Sequence, residues 1–241
     1  MAIFARAPVP GQAKTRLAPL LGSEGAAHLQ AALISDGVRK LALLRGVAPY
    51  LFFAGHTPLA WMKCGAKPQT VSYALVPQRG ADLGERLERA FRRLLAYHPC
   101  ALVMGTDSPT LGADRLRQAL RELDCCEAVL GPCPDGGYYL IGLRRFSRAL
   151  FHGVRWGTRF AFRDTLRNLI ERHFSCSVLE PLPDVDRPTD FRRLTKTLSR
   201  SPGLRRLAPA TWSFVNGASS GRRNALARTA NYEKRQWKSH S

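Results

Sequence analysis

Apolar residues follow two alternating patterns along the chain, short continuous runs and longer stretches with helical spacing. Runs such as 48–55 and 100–109 are typical of buried strands, whereas the stretch 82–98 places apolar residues on one helical face and four arginines on the other. The pattern predicts strands over residues 1–5, 48–55, 70–78, 100–109, 127–133, 136–143 and 177–180, and helices over residues 23–44, 82–98, 113–123, 158–173 and 189–198.

This alternation predicts an α/β fold with three layers, α/β/α, around a mostly parallel sheet. Residues 128–143 break the alternation, because a short Pro/Gly loop joins two strands without an intervening helix. We therefore expect one antiparallel strand in the sheet. In such sheets ligands bind beyond the carboxyl ends of the strands, and the polar clusters described below follow predicted strands.

The chain has 241 residues and a formal net charge of +19, and this charge is unevenly distributed. From residue 192 onward, twelve Lys and Arg accompany a single acid, Glu233, without a sustained apolar period. We predict a domain over residues 1–198 and a basic, weakly ordered extension over residues 199–241. One interpretation of the extension is contact with nucleic acid or an anionic membrane surface; the other, which we favour, is a solvated tail without a dedicated partner.

Cysteine spacing and hydropathy indicate the compartment. The six cysteines lack the paired spacing of a zinc or redox site, which favours free thiols in a reducing environment. No apolar run approaches the roughly 20 residues of a membrane span, and charge and proline stand where a signal peptide would be apolar. These features predict a cytoplasmic protein.

The opening stretch FARAPVPGQAKTRL, residues 4–17, places a rigid turn and several cations directly after the first strand. Gly11 lets the backbone approach a ligand closely, and Lys14 and Arg16 offer the two cationic groups with which proteins hold phosphate. We predict a phosphate site that includes Arg6, Gly11, Lys14 and Arg16. Solvated cations on a surface turn are the alternative, and the stretch is not a P-loop.

In VMGTDSPTL, residues 103–111, a buried strand is followed by Asp107. A carboxylate in this place suits a hard divalent cation, Mg²⁺ or Mn²⁺, that leaves positions open for phosphate oxygens. The alternative is that Asp107 caps the next helix. We favour the metal, because Asp114 lies nearer the start of that helix.

Two further acidic stretches complete the candidate site. In GPCPDGGYYLIGL, residues 131–143, Asp135 precedes Gly136 and Gly137, although a plain hairpin would also use Asp-Gly. In PDVDRPTDF, residues 183–191, either Asp184 or Asp186 could be the second carboxylate of a metal site, and Asp190 is expected to complement the dipole of the following helix.

The stretch QRGADLGERL, residues 78–87, leads into a helix N-terminus, where backbone N–H groups favour anions. Gly84 and Arg86 are candidate nucleotide-phosphate contacts, whereas Asp82 and Glu85 could simply cap the helix. The six histidines show no HExxH spacing and no serine nucleophile elbow is present, so covalent catalysis is not indicated.

Taken in order, the motifs resemble a known family. FARAPVPGQAKTRLAP, QRGADLGERL, MGTDSPTL, GPCPDGGYYLIGL, VRWGT and DVDRPTDF resemble the bacterial GT-A-fold glycosyltransferase-like family of the nucleotide-diphospho-sugar transferase superfamily, members of which are assigned to arsenosugar biosynthesis. The opening stretch is also similar to that of 2-phospho-lactate guanylyltransferases. The resemblance covers residues 3–191 and does not extend to the basic tail.

The resemblance implies roles for individual residues. Gly11, Lys14 and Arg16 would form the nucleotide-phosphate loop, Asp107 would be the metal-binding carboxylate, and Asp186 would be the second ligand. Asp135, Gly136, Gly137 and Trp156 would line the acceptor or sugar side. The candidate catalytic residues are Asp135, as the acceptor base, and Asp107.

Together these features predict a metal-dependent glycosyltransferase that uses a nucleotide-diphospho-sugar donor, a small-molecule acceptor, and Mg²⁺ or Mn²⁺. The alternative is a nucleotidyltransferase that transfers a guanylyl or related group from an NTP and releases pyrophosphate. A basic nucleic-acid-binding protein and a catalytically inactive relative are two further hypotheses.

Overall fold

The computed structural model describes residues 1–55 and 72–217. Its strands are β1 (Ala2–Arg6), β2 (Tyr50–Ala54), β3 (Ala74–Pro77), β4 (Ala101–Met104), β5 (Ala128–Pro132), β6 (Tyr138–Leu143) and β7 (Cys176–Val178). Its helices are α1 (Ala18–Ala42), α2 (Leu83–Leu95), α3 (Ala113–Cys125), α4 (Ala161–Glu171), α5 (Pro188–Arg200) and α6 (Pro202–Leu207), and residues 209–217 are also helical. Two 3-10 turns cover Thr15–Leu17 and Arg148–Phe151.

The seven strands form one sheet in the order β3-β2-β1-β4-β6-β5-β7. All neighbouring pairs are parallel except those of β6, which runs antiparallel to both β4 and β5. The two-strand unit without a helix at 128–143 therefore supplies the one antiparallel strand, and the predicted fold class is confirmed.

Helices cover both faces of the sheet, as the three-layer prediction requires. On one face, apolar side chains of α1 and α3 pack on the sheet; examples are Val38, Leu41 and Leu116. On the other face, α2 and α4 pack with the 148–151 turn, through side chains such as Phe91 and Leu169. The site described below lies at the carboxyl ends of the parallel strands, between these layers.

Residues 199–217 differ from the predicted weakly ordered extension. Trp212, Phe214 and Val215 pack with Leu198 and the apolar residues of α1 and α5 in a third apolar cluster, so the weakly ordered extension does not begin at residue 199. The sequence prediction is wrong here because the apolar residues are too few to show a period, yet each meets a hydrophobic surface of α1 or α5. Residues 218–241 lie outside the described chain.

Several element boundaries also differ from the predictions. Helix α1 begins at Ala18, not at residue 23, and Gly22 inside it has φ 72° and ψ 165°, which marks a kink between two helical segments. The predicted strand 70–78 is reduced to Ala74–Pro77, its first residues lying outside the described range. No helix within residues 1–55 and 72–217 is long and apolar enough to cross a membrane.

Candidate active site

A cleft of about 320 Å³ opens at the carboxyl end of β4, beside the β5–β6 turn and the loop that precedes α5. Its lining combines carboxylates with aromatic rings. Of the predicted site residues, the lining contains Arg16, Asp107, Asp135, Gly137, Trp156 and Asp186. The fold therefore collects groups from five separate stretches of sequence into one cavity.

Lys14 reaches into this region from the loop after β1. Its ammonium group lies 2.8 Å from Oδ1 of Asp107 and donates a hydrogen bond of 2.7 Å to the carbonyl oxygen of Val185. The side chain of Lys14 is only 4% exposed, whereas that of Asp107 is 46% exposed. Lys14 is thus a buried cation whose partner carboxylate is open to a ligand.

The loop between β1 and α1 owes its course to two backbone conformations. Gly11 has φ 76°, which a glycine adopts without strain, and Lys14 itself is left-handed, with φ 48°. A non-glycine residue with positive φ is uncommon and often found where function holds it. This conformation turns the Lys14 side chain inward while the chain continues into the 3-10 turn.

Arg16 and Asp186 form a second ion pair at the same cleft. The two carboxylates predicted to hold a metal, Asp107 and Asp186, are therefore each paired with one of the two cations predicted to hold phosphate. The sequence could not predict this pairing, because Arg16 and Asp186 are 170 residues apart.

A hydrogen-bond network orients the carboxylate of Asp107. The hydroxyl of Thr106 donates to Oδ1 of Asp107 at 3.0 Å, and Gln30 of α1 donates to that hydroxyl at 3.3 Å. The backbone N–H of Val185 donates to the carbonyl oxygen of Asp107 at 2.8 Å. The residue at the N-cap of α3 is Gly112, so the alternative in which Asp107 caps that helix is wrong.

The donor set decides which kind of metal site is compatible with the cleft. Within the two described ranges, no three His, Cys, Asp or Glu side chains converge as a site held by protein alone requires. Mg²⁺ bound with a nucleotide commonly uses one or two carboxylates, with phosphate oxygens and water as the other ligands. Asp107 and Asp186 fit that second kind of site.

The turn between β5 and β6 is stabilised by the Asp135 side chain and packs closely against the backbone at Arg159. Oδ1 of Asp135 accepts the N–H of Gly137 at 2.8 Å, so part of the carboxylate is engaged in the turn. Gly136 has φ 90°, and a Cβ there would lie 2.1 Å from the carbonyl oxygen of Arg159. Gly136 is therefore explained by backbone packing, while the acceptor role of Gly137 stays a prediction.

Asp184 is a cleft residue that the sequence analysis left as an alternative to Asp186. Its pKa is raised to about 6, chiefly by burial and also by the neighbouring carboxylates of Asp135, Asp107 and Asp190. Burial, again reinforced by Asp184 and Asp135, raises the pKa of the nearby Cys133 thiol to about 12, so this thiol is protonated at neutral pH. The cleft is thus a place where negative charge is crowded.

Three other residues that line the cleft were not predicted as site residues. Tyr138 and Tyr139 follow the Gly pair at the start of β6, and Ser108 follows Asp107. Ser108 is buried, with 6% of the residue exposed. The signal that could have found them is adjacency: each is within three residues of a predicted site residue.

The aromatic wall of the cleft depends on a glycine in α2. Trp156 contacts Tyr138 edge-on, with ring centroids 6.3 Å apart. A Cβ on Gly84 would lie 2.5 Å from Nε1 of Trp156, so the indole can occupy its position only because residue 84 has no side chain. This packing explains Gly84, and contact of Gly84 with phosphate stays a prediction.

Of the predicted phosphate contacts Arg16 lines the cleft, whereas Gly11, Lys14 and Gly84 are not in its lining and neither are Arg6 and Arg86. Arg6 is exposed and donates to the carbonyl oxygen of Gln12 at 3.2 Å. Arg86 donates to the carbonyl oxygen of Gly80 at 3.1 Å and lines a different groove. The alternative that Asp82 and Glu85 cap α2 agrees with the structure. Oδ1 of Asp82 accepts the N–H of Glu85 at 2.8 Å.

Solved structures of other proteins share this fold. A protein from Desulfovibrio desulfuricans G20 assigned to the nucleotide-diphospho-sugar transferases is 28% identical, with a TM-score of 0.81 over 91% of this chain and 94% of that chain. The 4-diphosphocytidyl-2C-methyl-D-erythritol synthase of Anaerococcus prevotii is 9% identical, with a TM-score of 0.55 over 83% of this chain and 98% of that chain. The first likeness supports a nucleotide-utilising transferase, and the second shares the fold alone.

A family model described as "Uncharacterized protein conserved in bacteria (DUF2064)" matches residues 37–158, which include β4, Asp107 and the β5–β6 turn. A search of curated proteins gave no match.

Proposed function

The chain belongs to the DUF2064 family of bacterial proteins, and from this premise we propose that it is a metal-dependent glycosyltransferase. The donor would be a nucleotide-diphospho-sugar and the acceptor a small molecule. The observation that carries the proposal is the alternation of charge in the cleft, where Lys14 pairs with Asp107 and Arg16 pairs with Asp186. The likeness to the D. desulfuricans protein supports the choice of donor.

The two cations would hold the diphosphate. Arg16 is 62% exposed in its side chain, so its guanidinium can exchange Asp186 for a phosphate without a large desolvation cost. Lys14 is buried and held by Val185, so it supplies a fixed positive charge beside the carboxylate of Asp107. Positive charge fixed in advance stabilises the charge that develops on a departing nucleoside diphosphate.

Asp107 and Asp186 would hold a divalent cation together with the diphosphate oxygens. When bound, such a cation acts as a Lewis acid and as a template that orients the donor. The network of Thr106 and Gln30 keeps Asp107 oriented toward the cleft.

The acceptor would lie on the side of Asp135, Gly136, Gly137 and Trp156. Trp156 offers an apolar face, and the free oxygen of Asp135 can accept a proton from an acceptor hydroxyl. The free thiols in the described part of the chain support our proposal of a cytoplasmic setting.

Nucleotidyl transfer from an NTP is the second candidate. It is favoured by the fold shared with the A. prevotii synthase and by the same pairing of cations with carboxylates, which would serve a triphosphate equally well. The products separate the two: a nucleoside diphosphate from glycosyl transfer and pyrophosphate from nucleotidyl transfer.

A thermal-unfolding screen with Mg²⁺ or Mn²⁺ against nucleotide-diphospho-sugars and NTPs tests the proposal. A ligand at a hundredfold excess over its Kd should raise the free energy of unfolding by about 2.7 kcal/mol. We expect a metal-dependent shift with one nucleotide-diphospho-sugar, and release of the corresponding diphosphate once an acceptor is supplied. A shift with an NTP alone, with pyrophosphate as product, would instead identify a nucleotidyltransferase.

Variants connect the shift to the cleft. Asp107→Asn should abolish the metal-dependent shift, whereas Asp114→Asn, an equal change of charge on the exposed start of α3, should leave it intact. Since Asp107→Asn leaves the Lys14 ammonium buried without a carboxylate, that variant should also lose stability. The double variant Lys14→Met with Asp107→Asn removes both charges and should recover this stability, so it serves as the background for the binding measurement. Binding retained in the double variant would overturn the assignment of the site.

A further inference from the structure

A second groove, which we call the arginine groove, lies between α2 and the sheet-edge strand β3. It has a volume of about 400 Å³, and its lining shares no residue with the cleft described above. The floor is apolar, formed by Phe52, Val76, Pro77 and Ala90, and the rim carries Gln78 and the guanidinium groups of Arg79, Arg86, Arg89 and Arg93.

The rim is almost uncompensated positive charge. Among the residues that the structure describes, no carboxylate lines the groove, and neither Arg79 nor Arg93 has a carboxylate partner. Arg86 is bonded to a carbonyl oxygen, and Arg89 approaches Glu85 only at 3.8 Å. Arg92 on the neighbouring face of α2 differs, since it pairs with Glu88 at 2.7 Å.

Acids near the groove in sequence are confined to Asp82, Glu85 and Glu88, at the start of α2 and within it. Residues 37–81 contain no Asp or Glu, and they include β2, β3 and the connection between them. Arg89 and Arg93 are four residues apart on one helical face, where like charges repel. Such a concentration of guanidinium groups in a concave surface attracts anions from solution.

The shape of the groove indicates what kind of anion it fits. Its volume is that of a small-ligand site, and an apolar floor with a few convergent polar groups is the usual composition of such sites. Guanidinium forks match phosphate oxygens in pairs. Arg86 and Arg93 are seven residues apart, or roughly 10 Å along the helix axis, so one phosphate group cannot engage both ends of the rim.

We propose that the arginine groove is a second ligand site, separate from the catalytic cleft, for a small molecule that carries two or more linked phosphate groups. The source of those phosphates is either an inorganic polyphosphate or a nucleotide. A nucleotide would also place its base on the floor formed by Phe52 and Val76, and an inorganic chain would use only the rim.

Isothermal titration of the full chain with inorganic tripolyphosphate, in EDTA and at constant salt, tests the site. The double variant Arg89→Gln with Arg93→Gln should weaken binding by about tenfold or more, because two charged hydrogen-bond donors are lost. The control Arg92→Gln removes one charge from the neighbouring face of the same helix and should change the affinity by less than about twofold. The groove variant loses only the 3.8 Å approach of Arg89 to Glu85, so it should unfold at the temperature of the wild type. Arg92→Gln also breaks the 2.7 Å ion pair with Glu88 and is expected to unfold at a lower temperature, so its affinity is measured where circular dichroism shows it folded.

Three outcomes would overturn the proposal: no binding to the wild type, an equal loss in Arg92→Gln, or a loss caused by Lys14→Met with none in the groove variant. The last result would place the phosphate in the cleft. Repeating the titration with ATP distinguishes the sources, since tighter binding than tripolyphosphate indicates a nucleotide and equal binding an inorganic chain. Because the donor screen uses Asp107 variants and metal, its result and that of this titration are independent.

Discussion

At the scale of single residues, Lys40 shows how α1 holds the loop after β4. Its ammonium group is buried and donates a hydrogen bond of 2.8 Å to the carbonyl oxygen of Pro109, two residues beyond Asp107. Burial lowers the pKa of Lys40 from 10.5 to about 8, while nearby Asp36 partly opposes the shift. A charged lysine at this place holds the loop after β4 but is itself costly to bury.

Lys40 should therefore make stability depend on alkaline pH. Between pH 8 and pH 10 the unfolded chain, with its ordinary lysine pKa, binds more protons than the folded chain, so the free energy of unfolding rises with pH. We expect the wild type to gain up to about 3 kcal/mol over Lys40→Met between pH 7 and pH 10, measured by urea unfolding. The exposed Lys196→Met should show no such change, and a constant difference for Lys40→Met would contradict the assignment.

At the scale of elements, α2 serves three surfaces at once. One face packs on the sheet through residues such as Leu87 and Phe91, its first turn admits the Trp156 indole beside Gly84, and a third face carries the arginine groove. The position of α2 thus links the aromatic wall of the cleft to the packing of the domain. A change in its first turn should be felt in the cleft.

Gly84→Ala tests this link. Helix propensity alone predicts that alanine stabilises α2 by about 1 kcal/mol. The new Cβ would lie 2.5 Å from Nε1 of Trp156, so we expect instead a net loss of about 1–2 kcal/mol and weaker acceptor binding as the indole is displaced.

The control for that substitution is Gly203→Ala in α6, where a Cβ would meet only Oγ of Ser201 at 3.8 Å. Thermal unfolding should show this variant to be as stable as the wild type or more so. If Gly84→Ala proved equally harmless, the close contact between α2 and Trp156 would be wrong.

At the scale of the whole molecule, the chain after α5 returns to the domain and docks on α1. The buried carboxylate of Asp36 accepts the N–H groups of Ala210 and Thr211, both at 2.9 Å, and thereby caps the helical residues 209–217 from another element. Val215 is 1% exposed in the same interface. Residues 209–217, which the sequence predicts to belong to a basic tail, are therefore a packed part of the domain.

Truncation separates the docked segment from the residues beyond it. Deleting 218–241 should leave the thermal midpoint unchanged, because this deletion keeps every member that the third apolar cluster has among the described residues. Deleting 209–241 should lower the free energy of unfolding by about 3 kcal/mol or more, since Val215 and its apolar neighbours are lost. Asp36→Asn in the full chain should weaken the cap and make residues 209–217 sensitive to limited proteolysis. The control Glu24→Gln, at an exposed position of α1, should not. Equal stability of the two truncated chains would show that the docking is not stabilising.

Much of the fold could be predicted because its signals are local. Periodicity distinguishes the strand β4 from the helix α2, and the missing helix between β5 and β6 reveals the antiparallel strand. The docking of residues 209–217 could not be predicted, because the side chain that caps them, Asp36, is 174 residues away from Ala210. Capping by a distant carboxylate leaves no signature in the neighbouring sequence.

The sequence by itself determined which groups are available: cations after β1, carboxylates after β4 and before α5, and glycines at the turns. These follow from residue type and strand order, which are properties of short stretches. Only the tertiary structure decided that Lys14 meets Asp107 and Val185, the latter 171 residues away, and that Arg16 meets Asp186. The physical reason is that the sheet order places β1 beside β4, so loops remote in the chain share one end of the sheet and opposite charges there pair.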